Sequence, residues 1–162
     1  MLKTVMHDTL DWNELTLELP LTIEVAKQSF ENAFGECRAR TEDDFTCWGL
    51  YSDYGEEGST YSFEQANKIA QELEKVASVS EKYAAAVFEY CCYVDVSHFD
   101  DVHFYDSKAD FIVKVYDDYG LYDVKFLWTT VDMFLNDDYI FEALLDDGFI
   151  YKAENGVIIR WF

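Results

Sequence analysis

Positive charge is scarcest in this chain: 12 Lys and Arg stand against 33 Asp and Glu over 162 residues, a formal net charge of -21. Binding a nucleic-acid backbone or an anionic bilayer directly requires the opposite sign, so both are excluded as partners. Proline is almost missing, with one residue, and glycine is held to 7. Acidic disordered chains are rich in such residues and poor in aromatics, so disorder is excluded too. No apolar run reaches the roughly 18 residues a membrane span needs. The opening MLKTVMHDTLDW has neither the basic nor the apolar region of a secretory leader, so a cytoplasmic location is expected. Cysteines stand at 37, 47, 91 and 92 without a C-x-x-C pair, and vicinal Cys91 and Cys92 are poorly placed to bridge each other, so reduced thiols are expected.

Aromatic residues are abundant, with 13 Phe, 12 Tyr and 4 Trp, enough apolar surface for a folded chain of this length to offset its conformational entropy. The acid is spread through the chain: residues 1–81 hold 17 acids and 6 bases, residues 82–162 hold 16 and 6. This is a property of the fold's own elements and not of a tail. Doublets recur at Asp43-Asp44, Glu56-Glu57, Asp100-Asp101, Asp117-Asp118, Asp137-Asp138 and Asp146-Asp147. Asp favours turns and helix ends for local reasons, but six doublets with few basic neighbours exceed what capping requires.

Leu15 to Leu21 alternates as a strand, Thr22 caps a helix over 23–34 stopped by Gly35, and Phe45 to Tyr51 reads as another strand. Ser52 to Thr60, with Gly55 and Gly58 around Glu56-Glu57, reads as a loop and a subdomain boundary. Ser62 and Gln65 form a capping box for a helix whose inward face is Phe63, Ala66, Ile69, Ala70, Leu73, Val76 and Ala77. A helix capped by Ser80 turns Ala84, Val87, Phe88 and Cys91 inward, and Val94 to Tyr105 reads as irregular. Asp106 or Ser107 opens a helix with Ala109, Ile112, Val113 and Tyr116 inside, and Asp110, Lys114, Asp117 and Asp118 on a solvated stripe, ending at Gly120. Tyr122 to Trp128 is a possible strand. Asn136 or Asp137 starts a helix with Ile140, Leu144 and Leu145 inside, ended by Gly148. A hairpin across Asn155-Gly156 closes the chain. The expected class is α+β: an elongated chain of small subdomains with short mixed sheets, amphipathic helices and a strongly acidic surface. Its expected segments are an α+β subdomain at 1–60, a helical one at 61–104 and an α+β one at 105–162.

Catalytic signatures are thin. His7, His98 and His103 belong to no H-E-x-x-H, and no G-x-S-x-G, G-x-x-x-x-G-K or G-x-G-x-x-G occurs. Cys91, Cys92, His98 and His103 match no standard zinc spacing, and no calcium-loop pattern is present. A small metal enzyme on those four residues and an acidic high-salt scaffold stand as alternatives. Tyr51, Tyr54, Tyr90, Tyr93, Tyr105, Tyr116, Tyr119 and Tyr122 lack the interleaved Lys and Arg of a base-stacking platform, and are expected in the core and in subunit contacts. No catalytic residue, metal or cofactor is expected.

The charge has a natural yardstick. Duplex DNA carries about one negative charge per 1.7 Å, so 21 net charges equal roughly 36 Å of duplex. A compact chain of this length has a diameter of about 40 Å, so charge per length matches DNA, and a two-fold dimer keeps the ratio. Such a body is steered into the basic groove of a DNA-binding enzyme by the field that attracts the true ligand. The phosphate-mimicking candidates are the six doublets together with Asp110.

Residues 45–162 resemble the antirestriction proteins of the ArdA family. The resemblance rests on LTLELPLTIEVAKQSFENAF at 15–34, YSDYGEEGSTYSFEQANKIAQELEKV at 51–76, and HFYDSKADFIVKVYDDYG from His103 followed by DDGFIYKAENGVIIRWF. The glycine-containing first strand of that family has no counterpart in MLKTVMHDTLDWNE. The resemblance implies an elongated, commonly dimeric α/β protein of three subdomains that needs no cofactor and occupies the DNA site of a type I restriction-modification enzyme in a bacterial host. An anti-CRISPR protein blocking the DNA site of a CRISPR effector nuclease is the alternative on the same physics.

Overall fold

In a computed structural model, which describes residues 1–91, 102–126, 129–130, 132 and 135–161, the chain opens with a strand absent from the sequence expectation: β1, Leu2–Asp8. Leu2, Thr4, Met6 and Asp8 alternate onto its buried face. The polar Thr4 and Asp8 hide the pattern in the sequence; here they are buried because each is hydrogen-bonded. β2, Asn13–Leu19, returns antiparallel to β1.

The first helix, α1, Ile23–Phe34, has the expected bounds. The Thr22 hydroxyl accepts from the Val25 N–H at 3.4 Å, and Gly35 ends the helix at φ 91°. β3, Phe45–Ser52, then pairs with β1, and β4, Gly55–Ser62, pairs with β3. The stretch read as a loop and boundary at 52–60 is therefore a hairpin turn followed by a strand. Its Gly and Glu residues carry little strand propensity, and backbone pairing with β3 overrides them. The four strands are antiparallel in the order β2-β1-β3-β4.

The capping box of α2, Phe63–Ala77, is present in both directions: Gln65 N–H to Ser62 Oγ and Ser62 N–H to Gln65 Oε1, each at 3.1 Å. Its Phe63, Ala66, Ile69, Ala70 and Leu73 are buried. α1 and α2 share one face of the sheet, where Phe30 meets Phe45 at 5.5 Å and Phe45 meets Phe63 at 6.0 Å between ring centroids. Each such fully buried ring contributes about 1.5–3 kcal/mol of transfer free energy. α3, Glu81–Cys91, buries Ala84, Ala86, Val87, Phe88 and Tyr90. Cys37 and Cys47 are buried free thiols; burial pushes the Cys47 thiol up to about 11 and the Cys37 thiol upward too.

In the later part, β5 (Val102–Tyr105), β9 (Ile158–Trp161) and β8 (Ile150–Lys152) form an antiparallel sheet in that order, so the last strand is the central one. α4, Lys108–Asp118, and α5, Asp137–Asp146, enclose a core of Phe111, Ile112, Val115, Tyr116, Phe141, Ile150 and Ile158. A two-residue ladder joins β6, Lys125–Phe126, to β7, Thr129–Thr130. This covers only part of the strand expected at 122–128.

Three expectations need correction. The inward stripe of α4 is Phe111, Ile112, Val115 and Tyr116, while Ala109 and Val113 are exposed; the larger Phe111 sets the phase. The sheets are antiparallel and not mixed. The closing turn is no two-residue Asn-Gly corner. The Gly156 N–H returns to the Ala153 carbonyl at 2.9 Å, the Ala153 N–H to the Val157 carbonyl at 2.9 Å, and Gly156 sits at φ 85°, a type I turn with a glycine bulge. The chain divides into two units, Met1–Val96 and Ser97–Phe162.

Candidate interaction surface

The expected carboxylates sort by what their oxygens touch. The Asp44 carboxylate accepts from the backbone N–H groups of Arg40 at 2.7 Å and Thr41 at 2.9 Å, which hold it below the usual carboxylate range. It fixes the single 3₁₀ turn at Glu42–Asp44 before β3. Its folded pKa lies below its unfolded one, so its contribution to stability is complete above about pH 4 and is lost as pH falls through the folded value. Asp44→Ala is expected to flatten the acid limb of a stability-versus-pH curve below about pH 4; an unchanged limb in urea melts would remove Asp44 as a structural acid.

Six more have local partners. Glu57 accepts from the Ser59 N–H at 3.0 Å, and Asp110 from the Ser107 hydroxyl at 2.7 Å at the start of α4. Asp117 and Asp118 face Lys114 at 3.4 and 2.6 Å, and Asp118 also holds Arg160 at 3.0 Å. The Lys114 ammonium, then Arg160, lower the Asp118 carboxyl. Asp137 accepts from the Tyr116 hydroxyl, and Asp138 pairs with Lys108, which lowers it. The structure thus joins α4 to α5 through Lys108 and Tyr116, and α4 to β9 through Asp118 and Arg160.

Four are different. Asp43, Glu56, Asp146 and Asp147 are exposed, and their side chains have no hydrogen bond or ion pair among the described residues. Asp146 and Asp147 end α5, whose last turn has no basic residue. A helix C-terminus carries partial negative charge, so a carboxylate there destabilises. Asp100 and Asp101, with Cys92 and His98, lie outside the described residues. Elsewhere a groove of about 590 Å³ where α1 and α2 begin is lined by Glu24, Glu42, Glu64 and Glu72 beside Lys68. Among the described residues, no three His, Cys, Asp or Glu side chains are grouped to hold a metal, and no helix is long and apolar enough to cross a membrane.

Sequence reasoning missed an aromatic group on the sheet. His7, only 5% exposed, stacks on Trp48 at 4.7 Å and 16° and meets Trp12 edge-on at 5.5 Å and 68°. Trp12 is 78% exposed and Trp48 40%. The signal lay in the spacing of Asp8 and Trp12 around a tight turn, invisible until β1 is recognised. Of the tyrosines expected in the core or in subunit contacts, Tyr90 and Tyr116 are buried, and Tyr51, Tyr119 and Tyr122 are exposed.

Compared with known protein families and with curated proteins, the chain matches none.

Proposed function

We propose that this chain is a nucleic-acid mimic: an anionic decoy, with no enzymatic activity of its own, that occupies the DNA-binding groove of a type I restriction-modification enzyme in a bacterial cytoplasm. The observation that carries the reading is the pair Asp146 and Asp147, exposed, without a partner among the described residues and set at the helix end where carboxylates weaken the fold. Charge kept where it costs stability is explained by a partner that reads it. Acid excess in both units supports the same reading: 19 acids against 7 bases in residues 1–96, and 14 against 5 in residues 97–162. A surface of this sign, on an elongated body or a two-fold dimer, provides the charge density of a duplex without its bases.

The test is competition. Added to a purified type I restriction-modification enzyme, the protein is expected to block DNA binding stoichiometrically, to be displaced by excess duplex, and to weaken steeply between about 50 and 200 mM salt. Binding indifferent to salt and to competing DNA would end the proposal. The same assay with a CRISPR effector nuclease separates the two classes of target.

A further inference from the structure

We propose that the face of the four-stranded sheet opposite α1 and α2 recognises a cationic side chain of a protein partner, an arginine above all, with the exposed indoles of Trp12 and Trp48 as its aromatic contacts and Glu14 as its counter-charge. The inference rests on the reading that the partner is a basic protein, and it adds where that partner is gripped and by which chemistry.

The first support is strain at an exposed residue. Trp12 has φ 59°, the left-handed region that bulky side chains avoid, yet its indole gains little burial there. The turn that forces this conformation is pinned from several sides. The Asp8 carboxylate accepts from the Leu10 and Asp11 N–H groups at 2.9 and 3.3 Å, and the Asp8 carbonyl accepts from the Trp12 N–H at 2.8 Å. The Thr9 N–H and hydroxyl both donate to the Asp44 carbonyl, at 2.9 and 3.0 Å. Arg38 donates to the Leu10 carbonyl at 2.8 Å and to the Asp11 carboxylate. Unfavourable backbone held in place by its surroundings, with an aromatic ring displayed at its tip, is a mark of a binding site.

The second support is preorganisation. His7 contacts both indoles, stacked on Trp48 and edge-on to Trp12, and so backs them from the sheet. Neither ring has far to move when a ligand arrives, so little side-chain freedom is lost on binding. Exposed tryptophans held this way resemble the anchors that dominate protein interfaces.

The third support selects the occupant. Glu14 is the exposed register partner of His7 across β1 and β2, whereas Glu18 farther along β2 is already paired with Lys3 at 3.6 Å. The indole face is electron-rich and attracts cations, and guanidinium stacks on it flat while still reaching a carboxylate in its own plane. The surrounding acid repels nucleic acid and anionic lipid. A basic protein segment satisfies the rings and the Glu14 carboxylate together.

The experiment titrates the full chain with hexaarginine and hexalysine peptides at matched ionic strength, followed by tryptophan emission and by calorimetry. Hexaarginine is expected to bind more tightly than hexalysine and to change the emission. Trp12→Asn, which removes the indole and tolerates the left-handed backbone, and Trp48→Leu should each weaken hexaarginine binding about 2- to 5-fold and erode the arginine preference. Circular dichroism confirms the fold of each variant; Trp12→Asn keeps the test decisive if Trp48→Leu does not fold. Equal affinity for the two peptides, or a Trp12→Asn variant that keeps the parent's arginine preference, overturns the proposal. So does sedimentation showing a dimer that dissolves in Trp12→Asn, which would make a second copy the occupant. Because these probes contain neither DNA nor enzyme, a failed competition assay with a preserved arginine preference rejects the mimic reading alone.

Discussion

Reversing Asp43, Glu56, Asp146 and Asp147 to lysine together is expected to reduce binding to the target enzyme by at least about 100-fold, because each reversal removes an attraction and adds a repulsion in a complex formed by summed charge. Four reversals add eight charges and bring the formal total from -21 to about -13. The same variant should melt higher. Lysines at the end of α5 face the partial negative charge of its last carbonyls, worth about 0.3–1 kcal/mol each, or a rise of about 2–4 °C per kcal/mol in a chain of this size. Opposite signs in the two readouts separate a carboxylate kept for a partner from one kept for the fold. A single reversal should move binding little. If the quadruple variant bound as well as the parent at low salt, the carboxylates without partners would have no part in recognition.

The second large effect concerns Gly49. It sits at φ 68° where the β3 register shifts, and its carbonyl accepts from the buried Thr4 hydroxyl at 2.8 Å. An added Cβ would meet the Tyr51 hydroxyl at 2.8 Å, its ring carbon at 3.0 Å and the Glu57 carbonyl oxygen at 3.1 Å. Left-handed backbone costs about 1–2 kcal/mol for any L-residue with a Cβ, and the overlap adds about 1–3 kcal/mol. Gly49→Ala is therefore expected to destabilise by about 2–5 kcal/mol in urea melts. Truncating Tyr51 in the same chain should recover the part due to the ring and leave the part due to φ and the Glu57 carbonyl. A Gly49→Ala protein as stable as the parent would show that the bulge relaxes freely.

Helices were more legible in this sequence than strands, and the cause is local. Thr22 and Gly35, Ser62 and Gln65, and Asn136 all act within four residues of their own helix ends, so a linear reading finds them. β1 and β4 have no such signature. Thr4 and Asp8 become core residues only because Gly49 and the Leu10–Asp11 backbone satisfy them, and Glu56 and Glu57 become strand residues only because Tyr51 and Leu50 pair with them. The carboxylates divide on the same principle. Exposure followed from composition, but that Asp44 and Asp118 bind the fold while Asp146 and Asp147 have no partner among the described residues depends on groups as distant as Arg160. The Trp12 and Trp48 pair stayed hidden because it needs β1 to bring His7 against both.

The position of β9 between β5 and β8 sets an order of events during synthesis. Neither outer strand can find its neighbour until residues 158–161 have emerged, however long the preceding helices have waited. A premature stop after Val157 would leave two short ribbons with open edges and an unsealed apolar layer. Quality-control proteases should clear such a fragment quickly, which makes the codons for Ile158–Trp161 a checkpoint for those before them.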